Sequence, residues 1–393
     1  MKKLNIGIIG TCKRGKLADY CHMPENGVEV VAGMDISEFQ LENFKKRYKE
    51  KSGAKVTGYL DCNEMLEKET LDGVFVTSPD FCHEEHAVAC LQKGIPVYLE
   101  KPMAITIEGC DRILRTAKEN KTKVVLGHNM RYMTFTNKMR DLIMAGEIGE
   151  VKAIWCRHFI SYGGDAYFRD WHAEREKSNG LLLQKGAHDI DIIHWLAGAF
   201  TQRVTGMGML SVYDKLPRRE VEPDTPVDVT FNPDHWPPES LSGFNPVIDV
   251  EDHSMILMQL ANGVQASYMQ CHYTPDDCRN YTIIGTKGRI ENFGDHGKSS
   301  KVVLWSRRHG GYRFEGDMTF DTTPSEGSHG GADPLIVQSF IDAIRGIGKP
   351  ASTAQAARYS VATGCKGTES IRNNSIPFDI PPLPTELEEY DYS

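Results

Sequence analysis

Three groups of residues in this 393-residue sequence are of a type and spacing to do chemistry: a lysine ending a buried strand, a histidine and an aspartate one helical turn apart, and two glycines followed by an acid. The lysine is Lys101. After Pro96, the run Val97-Tyr98-Leu99 is apolar without a break, the pattern of a parallel strand covered on both faces. It stops at Glu100-Lys101-Pro102, because proline brings no N–H to a ladder. Open α/β sheets take ligands outside the carboxyl ends of their strands, so Lys101 is expected to face a ligand from a rigid support. A solvated lysine beside a turn is the plainer alternative, and a strand buried on both faces fits it less well. His188 and Asp191 are i and i+3 on a predicted helix and share a face. From those residues alone, the pair reads as a histidine satisfied by an aspartate inside a packed helix.

The glycines belong to a strand–turn–helix–strand–acid unit. A strand over 4–9 leads into Gly10-Thr11-Cys12-Lys13-Arg14-Gly15. A helix is expected from about Gly15, and a second strand over 28–34 ends on Asp35, 20 residues beyond Gly15. That is the spacing of a dinucleotide-binding unit. The turn admits the pyrophosphate, the helix N-terminus offers free N–H groups and a positive dipole end, and the acid accepts hydrogen bonds from ribose. The middle glycine of G-x-G-x-x-G is Cys12 here. Its side chain is expected to push the pyrophosphate outward or force a different turn, with Lys13 and Arg14 compensating by phosphate contact. Asp35 would repel a 2′-phosphate, which favours NAD over NADP; Arg14 is the residue that could reverse that preference.

Alternation continues with helices expected over 37–51, 63–68, 83–93 and 107–120, and strands over 55–59, 73–77, 97–99 and 123–127. Six strands alternating with helices are the count of a full doubly wound sheet. Thr77, Ser78 and Asn129 then lie near the same sheet edge as Lys101. His83-Glu84-Glu85-His86 spaces its histidines i and i+3, with no third ligand in view, so no metal is expected. The second half reads as a strand over 151–158, a glycine- and aromatic-rich loop over 161–170 closed by Trp171-His172, and an amphipathic helix from Gly186. A proline-rich loop follows over 216–246, then strands over 264–272 and 281–284, a helix over 335–345 with Asp333 as N-cap and Pro334 at N1, a last helix over 354–372, and a frayed acidic tail after Pro384.

The Gly10/Gly15 turn, Asp35, Thr77-Ser78-Pro79 with His83, Glu100-Lys101-Pro102, and His188 with Asp191 together resemble the Gfo/Idh/MocA family, the glucose–fructose oxidoreductase and inositol dehydrogenase group. Glu-Lys-Pro is the most specific of these features, and the resemblance covers nearly the whole chain, more loosely beyond about residue 200. It implies an α/β fold: a Rossmann doubly wound parallel sheet over 1–127, then an α+β substrate-binding and oligomerisation domain over 128–393 on an open, mostly antiparallel sheet. The C-terminal helix is expected to pack back on the first domain. It further implies a cis Lys101-Pro102 bond and a homo-oligomer, dimer or tetramer, formed through the second sheet. NAD is the implied cofactor, with NADP as the alternative, held by Gly10, Cys12, Lys13, Arg14, Gly15, Asp35, Thr77, Ser78, Pro79, His83, Glu100, Lys101 and Asn129.

The resemblance also reverses the plain reading of His188, which matches the family's catalytic histidine. Where the family pattern is D-x-G-x-H, this chain has Gln184-Lys185-Gly186-Ala187-His188. Gln184 can hydrogen-bond a hydroxyl but cannot act as a base. Lys101, His188, Gln184 and Lys185 are the expected catalytic group, with Tyr162, Trp171, His172 and His329 joining them around the substrate. Several cations cannot all persist in one dry pocket: either a lysine there is neutral, or an anion offsets them, as the carboxylate of a uronate or sugar-acid substrate would, unless Lys185 points away. Trp236, in the 216–246 loop, is a candidate sugar-stacking face; a surface decoration or oligomer contact accounts for that loop equally. The implied activity is hydride transfer between a sugar, cyclitol or sugar-acid hydroxyl and the nicotinamide. Two alternatives stand: an NAD-dependent glycosidase working by transient oxidation and elimination, for which the His329-Gly330-Gly331-Ala332-Asp333 run and the missing acid speak, and a non-catalytic NAD-binding regulator.

Net charge is −9 with no long basic run, which argues against nucleic acid or an anionic membrane as partner. The ten cysteines form no C-x-x-C pair and read as reduced thiols of a cytoplasmic protein. Met1-Lys2-Lys3 and the apolar run after it mimic a signal peptide, but the run ends at Gly10, too short for an h-region.

Overall fold

The computed structural model describes residues 2–220, 227–295, 299–324 and 326–393. The chain forms two compact units: Met1–Tyr132 with Glu326–Arg358 and Pro382–Ser393, and Met133–Ser325 with Tyr359–Pro381.

The first unit is built on β1 (Leu4–Ile9), β2 (Val28–Met34), β3 (Thr57–Tyr59), β4 (Gly73–Val76), β5 (Val97–Leu99) and β6 (Val124–Leu126). All pair in parallel, in the order β3-β2-β1-β4-β5-β6. This is the doubly wound order expected of a dinucleotide-binding sheet, with its switch point between β1 and β4. The four connecting helices are α1 (Glu38–Ser52), α2 (Cys62–Lys68), α3 (His83–Gln92) and α4 (Ile107–Glu119). The sequence shows why three of them start where they do. Ser37, Asp61 and Thr106 are N-caps whose side chains accept from the N–H three residues on, a contact worth about 1 kcal/mol each. The helix expected from about Gly15 is instead a tight 3-10 stretch, Lys13–Tyr20.

The second unit carries a nine-stranded sheet: β7 (Val151–Phe159), β8 (Thr201–Met209), β9 (His253–Leu260), β10 (Gln265–Cys271), β11 (Cys278–Gly285), β12 (Arg289–Phe293), β13 (Lys301–Trp305), β14 (Met318–Asp321) and β15 (Phe378–Asp379), in the order β14-β13-β12-β11-β7-β10-β9-β8-β15. Only β7 and β10 run parallel; every other neighbour is antiparallel. Its helices include α5 (Thr134–Met144), α6 (Gly163–Tyr167), α7 (Arg175–Ser178) and α8 (Leu181–Ala197). Two expectations are corrected here. The stretch 161–170 holds the short α6 rather than only loop, and α8 begins at Leu181, five residues before Gly186. Gly186 lies in mid-helix because a Cβ there would stand 2.8 Å from the Tyr268 ring; glycine lets α8 close onto β10.

In the 216–246 loop, residues 221–226 lie outside the described residues. The rest is anchored: Leu241 and Phe244 join Ile160, Phe168 and Tyr213 in a buried cluster, and His235 Nδ1 pairs with Asp165 Oδ1 at 2.5 Å. Trp236 is half-exposed.

After β14, α9 (Ala332–Arg345) returns to the first unit, where Ile336, Val337, Phe340 and Ile341 share a core with Leu4, Ile6, Phe75 and Tyr98. The Phe340 ring meets Phe75 edge-on at 5.1 Å, and truncating such a residue costs about 3–5 kcal/mol. Asp333 is not the N-cap; Gly331 is, with φ 80. Helix α10 (Ala354–Arg372) follows. The tail is ordered rather than frayed. It forms α11 (Thr385–Glu388), Leu387 and Tyr392 are buried, and the Tyr392 carbonyl accepts from Val124 N on β6 at 2.9 Å. Two apolar side chains within an acidic stretch are what hold it. Among the described residues no helix is long and apolar enough to cross a membrane, and no three His, Cys, Asp or Glu side chains are placed to hold a metal.

Candidate functional site

In the first unit, the ends of β1, β2, β4, β5 and β6 bring the predicted cofactor residues to one sheet edge. Gly10 has φ 88, and a Cβ on it would lie 2.8 Å from the Thr77 carbonyl and Ser78 N; a Cβ on Gly15 would lie 2.2 Å from the Gly10 carbonyl. Both positions therefore require glycine, and the turn is the close-packed kind a dinucleotide needs. The turn closes tightly at Cys12: the Gly15 N–H meets the Cys12 carbonyl at 2.6 Å, and Lys13 takes φ 35. Burial, then the nearby Asp35, push the Cys12 thiol up, so it stays protonated. Thr77 donates its hydroxyl to the carbonyls of Ile9 and Gly10 at 3.1 and 2.8 Å, which fixes the turn from below.

Lys101 follows β5, and Lys101-Pro102 is cis, as expected. Its support is stiff. His83 is buried with Nδ1 2.7 Å from the Pro102 carbonyl and Nε2 2.9 Å from the Ser78 carbonyl. The ring thus ties the Ser78-Pro79 and Lys101-Pro102 loops together. The Ser78 hydroxyl is 2.9 Å from His86 Nδ1.

Arg14 is the main correction. Instead of reaching toward a phosphate, its guanidinium donates from Nε to Glu100 at 2.6 Å and from Nη1 and Nη2 to the two oxygens of Asp333 at 2.6 and 2.9 Å. Asp333 also accepts from Asn129 Nδ2 at 3.0 Å and Ser328 Oγ at 2.6 Å, and lies 2.8 Å from His329 Nδ1. Glu100 accepts in addition from Tyr98 Oη and Lys101 N, both at 3.1 Å. Burial would raise both carboxyl groups. For Glu100 the Arg14 charge outweighs it, and for Asp333 the His329 and Arg14 hydrogen bonds do, so both are held below the usual range. Arg14, Asn129, Glu100 and His329 therefore form one latch around Asp333. Asp35 is buried and accepts from Thr11 and Ser37.

In the second unit, α8 presents Gln184, Lys185 and His188 within one turn, at i, i+1 and i+4; Gln184 is buried and the other two are half-buried. The Lys185 ammonium donates to Tyr162 Oη at 2.6 Å and stands 5.0 and 5.6 Å from the ring centres of Tyr162 and Tyr167. His172 is bonded to Asp170, stacks on Trp171 at 3.7 Å and meets Tyr167 edge-on at 5.2 Å. Tyr162, Trp171, His172 and Lys185 thus belong to one aromatic cluster, with Tyr167 at its centre. Tyr167 and the buried His272, 5.3 Å away, are members that sequence reasoning missed. Burial pushes the Tyr167 phenol up to about 12 and holds the His272 imidazole well below its ordinary value.

Beneath α8 lies a buried charge network without a sequence signal. Asp189 pairs with Arg279 Nε at 2.8 Å and with His158 Nδ1 at 3.3 Å, and accepts from Tyr281 Oη. The Arg279 and His158 charges outweigh burial and hold the Asp189 carboxyl well down. Burial, helped by Arg279, lowers His158 from 6.5 to about 3. In the unfolded chain His158 takes a proton near 6.5, so that chain binds more protons as pH falls. The stabilisation is then full above about 6.5 and is lost downward toward 3, by up to about 1.4 kcal/mol per pH unit. The urea midpoint of the second unit is expected to hold from pH 8 to 7 and fall from 6.5 to 4, less steeply in His158→Phe. Equal slopes in the two proteins would contradict this account.

A six-stranded parallel sheet with a glycine turn at its switch point, an acid ending the second strand and a Glu-Lys-Pro end on the fifth define a dinucleotide-binding enzyme domain. Residues 4–128 match the oxidoreductase family with an NAD-binding Rossmann fold (GFO_IDH_MocA), and residues 140–380 match that family's C-terminal alpha/beta domain. The chain belongs to this family: it is an oxidoreductase, and its first unit holds the NAD-binding domain. YteT of Bacillus subtilis (strain 168), named only as an oxidoreductase, is 27% identical over 378 residues, covering 86% of this chain and 88% of that one. The glucose-6-phosphate 3-dehydrogenase of the same organism is 32% identical over 200 residues, 50% of this chain and 54% of the other. The fold is shared with scyllo-inositol dehydrogenase from Lactobacillus casei, solved with NAD(H) and scyllo-inositol (TM-score 0.71, 21% identity, 96% and 99% of the two chains).

Proposed function

We propose that the protein dehydrogenates a secondary hydroxyl of a sugar, cyclitol or sugar acid. NAD, when bound, supplies the hydride acceptor at C4 of its nicotinamide. His188 takes the hydroxyl proton as general base, and the Lys101 ammonium donates a hydrogen bond to the same oxygen, so that carbon loses a hydride and oxygen a proton to leave a carbonyl. The observation that carries this reading is Lys101, set after β5 and next to the Pro102 carbonyl that His83 holds. Gly10, Gly15 and Thr77 fit the dinucleotide by their close-packed turn. The relatives named for dehydrogenating a sugar phosphate and an inositol support the substrate class. Lys185 supports its carboxylate-bearing members: the ammonium held over Tyr162 is a ready partner for an acid. The His329 run gives the glycosidase alternative no support, since His329 pairs with Asp333 inside the first unit.

The test is incubation with NAD against a panel of neutral sugars, cyclitols, the matching sugar acids and aryl glycosides. Reduced nicotinamide is expected to accumulate with one group of them, acids over neutral sugars. Release of the aryl group with no net reduction would contradict the reading.

The ten cysteines are free thiols, and a reducing compartment, the cytoplasm, is part of the same reading. So is a homo-oligomer. One face of the second sheet carries Trp155, Met207, Met209, Met255, Leu257 and Met269, all at least 42% exposed, with Met269, Met255 and Met207 side by side in register. A contiguous apolar face of this kind marks an interface, and a second copy is its proposed occupant. Leu257→Glu is expected to convert the assembly to monomer by light scattering while the thermal midpoint stays within a few degrees. An unchanged mass would contradict the assignment.

A further inference from the structure

We infer that the hairpin over 306–317 sets how two copies of this chain pair: the hairpin of each copy lies on the bare β8–β9 end of the other's second sheet, about a two-fold axis that runs along the strands. The inference rests on the homo-oligomer reading of that sheet and adds which part of one copy meets which part of the other. Strand register gives the exposed face two unlike ends. One row runs from Trp305 on β13 through Arg289, Ala153 and Gln259 to Arg203 and Asp379 on β8 and β15. Trp155, two residues from Ala153, stands on the same face. At the β13 end that face is padded, because the chain after Trp305 folds back over it. Trp305 Nε1 donates to the carbonyls of Arg313 and Glu315 at 3.2 and 3.1 Å, and a Cβ on Gly316 would lie 2.2 Å from Val303 Cγ1. Val303 and Trp305 are buried in consequence.

The hairpin is braced, yet it leaves its largest apolar side chains outside. Asp317 accepts from Ser306 N and Arg307 N at 2.8 and 2.9 Å and from Arg313 Nη1 at 3.3 Å. The Arg289 guanidinium stacks on Trp305 at 3.7 Å and lies 5.8 Å from the centre of the Tyr312 ring, which ties the tip to the sheet. Tyr312 is 72% and Phe314 80% exposed, their rings edge-on at 5.2 Å, and Arg307 and Arg308 are exposed beside them. At the other end the face is low and bare: Met207, Met255 and Leu257 are between 48 and 65% exposed.

A two-fold axis between facing sheets lies in their plane, so such a face can align with itself in two ways. With the axis across the strands, hairpin meets hairpin. Arg307 and Arg308 of both copies then come together, where like charges repel, and the methionine end faces a gap. With the axis along the strands, the raised end of each copy fills the low end of the other. Tyr312 and Phe314 then meet Leu257, Met255 and Met207, and aromatic rings pack favourably on thioethers. Arg307 and Arg308 approach Asp379, whose side chain is 81% exposed. Tyrosine and arginine are among the residues that carry most of the energy of such contacts.

The experiment uses the full chain with the photoreactive p-benzoylphenylalanine in place of Phe314, as an equal mixture of unlabelled and heavy-isotope-labelled protein. After irradiation, peptides that join a labelled chain to an unlabelled one are mapped by mass spectrometry. Links from the hairpin to residues 201–209 and 253–260, the strands β8 and β9, are expected. Links between the two hairpins, or an oligomer in which no link reaches β8 or β9, would overturn this inference and leave the homo-oligomer reading intact. A natural protein that light scattering finds monomeric at every concentration would overturn both. As a second readout, the Tyr312→Ser/Phe314→Ser double variant should raise the dissociation constant of the assembly by about a hundredfold or more. Both side chains are largely exposed in the single chain, so its circular dichroism should not change. An unchanged dissociation constant would overturn the inference.

Discussion

Lys101→Ala is expected to lower kcat by about 10²–10⁴-fold, the range for losing a group that acts on the transferred proton or the developing oxygen charge, while the dissociation constant for NADH changes by less than about threefold. The asymmetry is the content of the prediction. If Lys101 serves the substrate oxygen, the reduced dinucleotide binds without it; if it serves the cofactor, binding and turnover fall together. His188→Ala is expected to fall in the same range. If the proposed roles hold and both act on one oxygen, the double variant should be little worse than either single one, because such groups fail as a unit. A multiplied loss would mean that they act on different steps. Single-turnover reduction, measured beside fluorescence titration of NADH, checks each point.

Arg14→Leu is expected to destabilise the first unit by about 3–5 kcal/mol, the cost of leaving a buried carboxylate without its cation. Two carboxylates depend on it here, Glu100 at 2.6 Å and Asp333 at 2.6 and 2.9 Å. Arg14→Lys should recover little, because an ammonium cannot reproduce the bidentate grip on Asp333 while also reaching Glu100. A chain of two units need not unfold in one step, so hydrogen exchange in β5 and α9 is the proper readout. Were Arg14 a phosphate ligand, as its place in the glycine turn suggests, the variant would weaken dinucleotide binding and leave exchange unchanged. Faster exchange at both elements is the outcome expected here.

Arg14 also shows where reading the sequence stops. Local pattern was enough for the six parallel strands, the capped helices, the glycine turn and the lysine after β5, because each is encoded within about ten residues by apolar period, a cap or a breaker. Arg14 and Asp333 stand 319 positions apart, and nothing near either one announces the other. The same holds for Asp189 and Arg279, drawn together by burial beneath α8. The resemblance implies His83 at the cofactor, and nothing near it in the sequence announces that its ring lies between the carbonyls of Ser78 and Pro102. Residues 161–170 looked like loop because their glycines outweigh their apolar content, yet packing of Tyr167 and Phe168 against His272 and Tyr213 orders them. The tail after Pro384 looked frayed because charge dominates it, and Leu387 and Tyr392 override the charge.

The most direct test of the central claim follows a deuterium atom. The protein would be incubated with NAD and a substrate deuterated at the carbon bearing the reacting hydroxyl, and the recovered dinucleotide weighed by mass spectrometry. One deuterium on the reduced nicotinamide, with a carbonyl at the substrate carbon, is the result expected of hydride transfer. Substrate consumed with no label in the dinucleotide would contradict the account.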